Sequence, residues 1–206
     1  MNRKVQNILI FANSMARNIE FIPEEKVTKA MNVFWNKGYT GASLSDLTEA
    51  MKLNKSSLYN SFKDKHSLFI ASLKAYGKIV ENDYASALNK KDTPLEKIDS
   101  IIDKIAMVSI ERENSCLGIK TTFEVAAQDK EAHAVIKAGN SKTIGLIKSL
   151  IIEAQTLGQI RKERDAETMS HFIFNSFPGF RQSYIIYGNK KLVKGLANEL
   201  KGFLRQ

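Results

Sequence analysis

The segment Lys55-Ser56-Ser57-Leu58-Tyr59-Asn60-Ser61-Phe62 concentrates cationic and hydrogen-bonding side chains at spacings that suit a short helix. On such a helix Leu58 and Phe62 share one side, leaving Lys55, Ser56, Ser57, Tyr59, Asn60 and Ser61 to form a polar face. The chemistry open to that face is non-covalent. Small hydroxyls permit close approach, a lysine neutralises a phosphate, and an asparagine amide matches the donor and acceptor of an adenine edge. A polar face that only meets water has the same composition, so the surrounding elements must decide between the two.

Covalent chemistry has less support. Cys116, His66, His133 and His171 supply the types for a thiol nucleophile and base, but their spacing matches no catalytic motif. One cysteine excludes an intrachain disulfide, fits a reducing cytoplasm and is too few for a thiolate zinc site. No metal or cofactor is expected. Only Arg112 and Lys120, a turn away, could activate Cys116, so the expectation is a buried, inert thiol; a sensor of electrophiles or oxidants is the alternative.

Three helices must position the polar face. Residues 24–37 repeat apolar side chains at helical spacing (Val27, Ala30, Met31, Phe34, Trp35), with Gly38 as C-cap. Ser43, with Asp46 three residues on, opens a second helix through an aspartate version of the capping box; Leu44, Leu47, Ala50 and Met51 form its buried face. Met51-Lys52-Leu53-Asn54 then leads to the polar helix, with Asn54 as its cap. This is the order of a helix-turn-helix, whose second helix enters the major groove. A break at Lys63-Asp64 precedes a long amphipathic helix through Leu68, Phe69, Leu73, Tyr76 and Val80.

The rest also reads as helical. Thr93-Pro94-Leu95-Glu96 combines an N-cap, a first-turn proline and a capping glutamate, followed on one face by Leu95, Ile98, Ile101, Ile102, Ile105 and Val108. Further helices are expected over 117–128, 131–157, 165–187 and 190–205, with a kink at Pro178-Gly179. No alternating stretch is long enough for a strand. The expected fold class is all-α: an N-terminal three-helix helix-turn-helix DNA-binding domain joined by a long helix to an all-helical domain.

Composition agrees with an anionic partner. The 206 residues are 43% hydrophobic and 26% charged, with three prolines, eleven glycines and a net charge of +9. Residues 1–80 hold 12 Lys/Arg against 6 Asp/Glu, a net +6, so most of the excess lies where the polar helix does. The lysines are scattered rather than gathered on one long amphipathic face, which argues against a membrane-surface protein. The apolar run Ile8-Leu9-Ile10-Phe11-Ala12 is too short for a signal peptide or a membrane span.

The N-terminal pattern resembles the tetracycline-repressor (TetR) family. The resemblance is carried by Ala30-Met31-x-x-Phe34, Lys37-Gly38-Tyr39-Thr40-Gly41-Ala42-Ser43-Leu44, Leu47-Thr48-Glu49-Ala50 and Leu53 to Phe62, followed by Lys65 and Leu68-Phe69. It implies phosphate contacts from Ser43 and Lys65 and from Lys55 and Tyr59, and base contacts from Ser57 and Asn60. Arg17 would lie along the backbone or in the minor groove. The chain departs from the family at Lys52, where a glycine is usual; a lysine held at positive φ costs on the order of 1 kcal/mol. Met15-Ala16-Arg17-x-x-x-Phe21 resembles the usual start of such proteins, and the resemblance implies that residues 1–14 are an over-extended reading frame or an unstructured arm.

The expected organisation is an arm over 1–20, the DNA-binding domain over 21–68, and a ligand-binding and dimerisation domain over 69–206. Ser115-Cys116-Leu117-Gly118, leading to Phe123-Glu124, resembles a Gly/Cys-Leu entry in a subgroup of the family, where this region borders a ligand cavity. Ile102, Ile105, Cys116, Phe123 and Phe174 are the candidate ligand-binding residues, although apolar groups at this spacing also fit plain core. The family also implies a homodimer through residues 165–205, with Phe172, Phe177, Phe180, Tyr184, Leu196, Leu200 and Phe203 as candidate contacts. The implied function is that of a cytoplasmic, ligand-responsive regulator, not an enzyme, in the usual sense a repressor released from palindromic operator DNA by a small molecule. The alternatives are a small-molecule or redox-sensing helical protein without specific DNA binding, and a thiol-dependent enzyme.

Overall fold

The computed structural model describes residues 24–88, 93–112, 114 and 116–205. Met15, Arg17 and the N-terminal arm lie outside the described residues, as does Ser115. Nine α-helices and one π-helical turn follow in order, and no described residue is in a strand. They are α1 (Glu24–Gly41), α2 (Leu44–Met51), α3 (Lys55–Ser61), α4 (Lys65–Leu88), α5 (Pro94–Glu111), α6 (Leu117–Thr121), the π turn (Thr122–Ala126), α7 (Lys130–Thr156), α8 (Ala166–Tyr187) and α9 (Lys190–Leu204).

Local sequence sets most helix starts. Ser43 and Asp46 form a reciprocal capping box on α2, and Thr93 and Glu96 form another on α5. Asn54, Asp129, Asp165 and Asn189 each accept backbone N–H bonds at the starts of α3, α7, α8 and α9. Each such cap satisfies donors that a helix start leaves open. Inside α1, Gly38 leaves helical geometry at φ 76°, ψ 175°.

Two apolar cores result, and α4 serves both. Its first half places Leu68, Phe69, Leu73 and Tyr76 among Ala30, Met31 and Phe34 of α1, Leu47 and Met51 of α2, and Leu58 of α3. Leu117, Val125 and Ala132 reach into that same core from the C-terminal part. The second half of α4 places Tyr84 and Ala87 in the other core, with Ile98, Ile101 and Ile102 of α5, Ile147 and Ile151 of α7, Ile173 and Phe177 of α8, and Val193 of α9. Each fully buried aliphatic or aromatic side chain stabilises by about 1.5–3 kcal/mol, so both ends of α4 are firmly held.

One local expectation is corrected: the helix expected over 117–128 is instead α6 followed by the π turn, whereas the helix expected over 165–187 is α8, with Pro178 inside it. No helix among the described residues is long and apolar enough to cross a membrane.

Candidate nucleic-acid interface and cavity

Leu58 is fully buried and Phe62 half-buried, which fixes α3 from behind and leaves Lys55, Tyr59 and Asn60 exposed on its outer side. Ser57 is half-buried, its backbone N–H donating to Asn54 Oδ1 at 2.7 Å. The turn before α3 is closed by Lys52 in the left-handed region (φ 51°, ψ 52°), where its N–H bonds to the α2 carbonyls of Glu49 and Thr48. It is the one non-glycine residue with positive φ among those described, so the positive φ that glycine usually serves is met here by lysine.

Ser43 stands exposed at the start of α2, its Oγ accepting from the Asp46 N–H at 3.1 Å. The hydroxyl proton is still free to donate to an anion. Asp46 in turn accepts from the Ser43 N–H at 2.9 Å and from Lys37 Nζ at 2.6 Å. The lysine and then the serine amide hold its carboxyl down at about 2. At the other end of α2, Lys26 Nζ donates to the Met51 carbonyl at 2.6 Å, satisfying a terminal acceptor. Lys65, at the start of α4, sits over the Tyr39 ring with Nζ 4.6 Å from its centroid.

A cavity of about 540 Å³ opens between α4, α5, α6, α7 and α8, reaching Trp35 of α1. Leu73, Ile105, Phe174 and Phe177 give it apolar walls, while Tyr76, Asn140 and Thr143 bring polar groups to them. Arg112 and Asp83 form an ion pair of 2.7 Å on its lining. Cys116 also lines the cavity and is exposed, its Sγ accepting from the Tyr76 hydroxyl at 3.4 Å. Burial pushes the Tyr76 phenol well above its usual range, so it stays a donor.

An outward polar helix fixed by a capped α2 thus shares one chain with a roomy cavity. Residues 27–72 match the family of bacterial regulatory proteins named for tetR, and residues 94–199 match the tetracyclin repressor-like C-terminal domain. The chain belongs to the TetR family.

Among TetR-family relatives, it is 24% identical over 168 residues to the uncharacterized HTH-type transcriptional regulator YezE of Bacillus subtilis (strain 168), covering 79% of this chain and 85% of YezE. The crystal structure of a TetR regulator from Chloroflexus aurantiacus J-10-FL superposes with a TM-score of 0.82 at 21% identity, covering 89% of this chain and 93% of that one. A cysteine mutant of the TetR regulator CifR, solved in complex with 26-base-pair operator DNA, superposes at 0.76 and 21% identity, covering 88% and 96%.

In this TetR chain the expected pocket residues separate. Ile105, Cys116 and Phe174 line the cavity together. Ile102 does not; it is fully buried in the core on the inner side of α5. Phe123 does not either: on the π turn its side chain is 85% exposed. The buried thiol expected at 116 is overturned, because the cavity opens onto it. Of the expected dimer contacts, Phe177, Phe180 and Leu200 are buried in the chain's own core, Tyr184 is half-buried, and Phe172, Leu196 and Phe203 are exposed.

Two of the histidines weighed for catalysis pair with carboxylates away from the cavity. His66 Nε2 lies 2.6 Å from Asp129 Oδ2, and His171 pairs with Glu167 at 3.3 Å. Sequence reasoning missed the cavity's Trp35, Tyr76 and Asn140, which come from three helices whose side chains carry no shared spacing. It also missed Lys26, whose role depends on a carbonyl 25 residues away.

Proposed function

We propose that this TetR-family chain is a ligand-responsive repressor that binds palindromic operator DNA as a homodimer and leaves it when a small molecule occupies the 540 Å³ cavity. The observation that carries the reading is one rigid unit presenting Lys55, Tyr59, Asn60 and Ser43 outward, in the same chain as that cavity. Lys55, Tyr59, Ser43 and Lys65 contact phosphates, and Ser57 and Asn60 read bases. The protein acts by binding rather than catalysis, in the cytoplasm where its DNA is.

Dimerisation runs through α8 and α9. Phe172, Ile185, Ile186, Tyr187, Leu192, Leu196 and Phe203 are exposed on these two helices, and large apolar side chains gathered on one pair of helices suit burial against a second copy. A two-fold dimer sets the recognition helices about 34–36 Å apart, matching successive major grooves on one face of the duplex. A ligand that favours another separation draws the population away from the DNA-competent form.

The test is binding to a fluorescent duplex carrying the DNA upstream of the chain's own gene, with unrelated duplex as competitor, at two salt concentrations. Binding that survives competitor and is lost in Lys55→Ala and Tyr59→Ala supports the reading. Weak binding equal on all duplexes and abolished by modest salt overturns it.

A further inference from the structure

One turn of chain faces both the cavity and the DNA-binding unit. Gly118, Ile119 and Thr122 line the cavity, whereas Lys120, between them, and Glu124, two residues on, grip the end of α1. Lys120 Nζ donates to the carbonyls of Trp35 at 2.8 Å and Asn36 at 3.1 Å. The Glu124 carboxylate accepts from the N–H groups of Thr40 at 2.7 Å and Tyr39 at 3.1 Å. A cation on the last carbonyls and an anion on the amides just beyond them complement the exposed groups at that helix end.

A side chain on Gly38 would put its Cβ 2.6 Å from Glu124 Oε2 and displace that carboxylate from the clasp, and φ 76° itself favours glycine. Three residues beyond Thr40 comes Ser43, the proposed phosphate anchor. Glu124 therefore holds the segment that aims the start of α2, from a position 84 residues away in sequence.

The clasp is built on a segment short of its packing optimum. Thr121 is buried, and its hydroxyl has no hydrogen-bond partner among the described residues. The next five residues form the π turn, a geometry rare in proteins and frequent at functional sites. Burial opposes ionisation of Glu124, but the amide bonds from Thr40 and Tyr39 outweigh it and keep the carboxyl below its usual range.

We propose that Glu124, supported by Lys120, is a positioning residue for DNA binding, and that an occupant pressing on Gly118, Ile119 and Thr122 acts by pulling this clasp off residues 39 and 40. The proposal rests on the functional reading above and adds the residues that carry the signal.

The test uses the full chain and N-phenylmaleimide, which reacts with Cys116, the single cysteine, and so places a bulky group in the cavity. Two readouts are taken: amide hydrogen exchange at Tyr39 and Thr40, and affinity for the upstream duplex. Labelling is expected to speed exchange at both amides and weaken duplex binding by roughly tenfold. Glu124→Gln is expected to do the same before labelling and to leave labelling less than about a twofold further effect, the signature of lost coupling. Lys120→Met is expected to shift both readouts the same way by less, and it serves alone if the first variant does not fold.

Labelling that leaves the two amides protected overturns the proposal. So does labelling that weakens binding equally in the parent chain and Glu124→Gln. If the amides respond as expected while neither labelled nor unlabelled chain binds duplex, the clasp stands and the DNA-binding reading falls.

Discussion

Ser43 and Asp46 hold each other across the first turn of α2: each backbone N–H donates to the other's side-chain oxygen, at 2.9 and 3.1 Å. Lys37 adds a third bond to the same carboxylate at 2.6 Å. An exposed serine of the DNA-binding unit thus sits in a cluster of three hydrogen bonds. The Ser43 hydroxyl proposed to meet a phosphate is held in place by the cap.

Asp46 should titrate at about 2, well below the usual carboxylate range, because Lys37 and the Ser43 amide favour its charged form. With the folded pKa depressed, its contribution to stability is present above the unfolded value and is lost as pH falls through the folded one. Carboxyl carbon NMR against pH checks this: a midpoint near 4 would show that the cap does not persist in solution.

Ser43→Ala should destabilise the chain by about 1 kcal/mol through loss of the cap. It should also weaken operator binding beyond that, since the proposed phosphate donor goes with it. Denaturant melts and duplex titrations separate the two; a variant less stable yet equally tight on DNA would remove Ser43 from the interface.

Lys52→Gly should raise stability by about 0.5–1 kcal/mol. Relief of the left-handed lysine at φ 51° is worth more than the added freedom of glycine in the unfolded chain costs. Lys52→Ala keeps a Cβ and should bring no such gain. Urea midpoints of the two variants decide the matter.

Lys55→Ala should weaken binding to all duplexes alike and lower the slope of log affinity against log salt by about 1. Asn60→Ala should cost about 1–3 kcal/mol on the operator and relax preference at one base pair only. Equal losses on specific and unrelated duplexes for Asn60→Ala would reassign it to the backbone.

Ile186→Glu combined with Leu196→Glu should give a monomer by sedimentation with the helical content unchanged, since both side chains are exposed in the single chain. Loss of the second half-site should weaken operator binding by about a hundredfold. A dimer that survives both charges would move the interface away from α8 and α9.

Whatever rests on contacts a few residues apart could be read from the residues alone. The caps at Ser43, Asn54 and Thr93, the polar face of α3 and the apolar stripes of α1 and α4 all follow from i to i+3 and i to i+4 geometry. The family motif lies in the same local segments, so fold class and DNA-binding unit were legible together. The positive φ at position 52 was legible as well, through the glycine that the family pattern expects there.

Tertiary structure decided the rest, because the remaining choices depend on which face of a helix meets which neighbour. Ile102 and Ile105 sit on one apolar helix, and only packing sends the first into the core and the second to the cavity. Phe123, a pocket candidate only through the family resemblance, faces solvent from the π turn. Cys116 is open because five helices meet around a void beside it rather than closing over it. Glu124 and Thr40, like His66 and Asp129, lie too far apart in sequence for any local period to pair them. A carboxylate's partner is set by distance in space, and that distance exists only once the chain has folded.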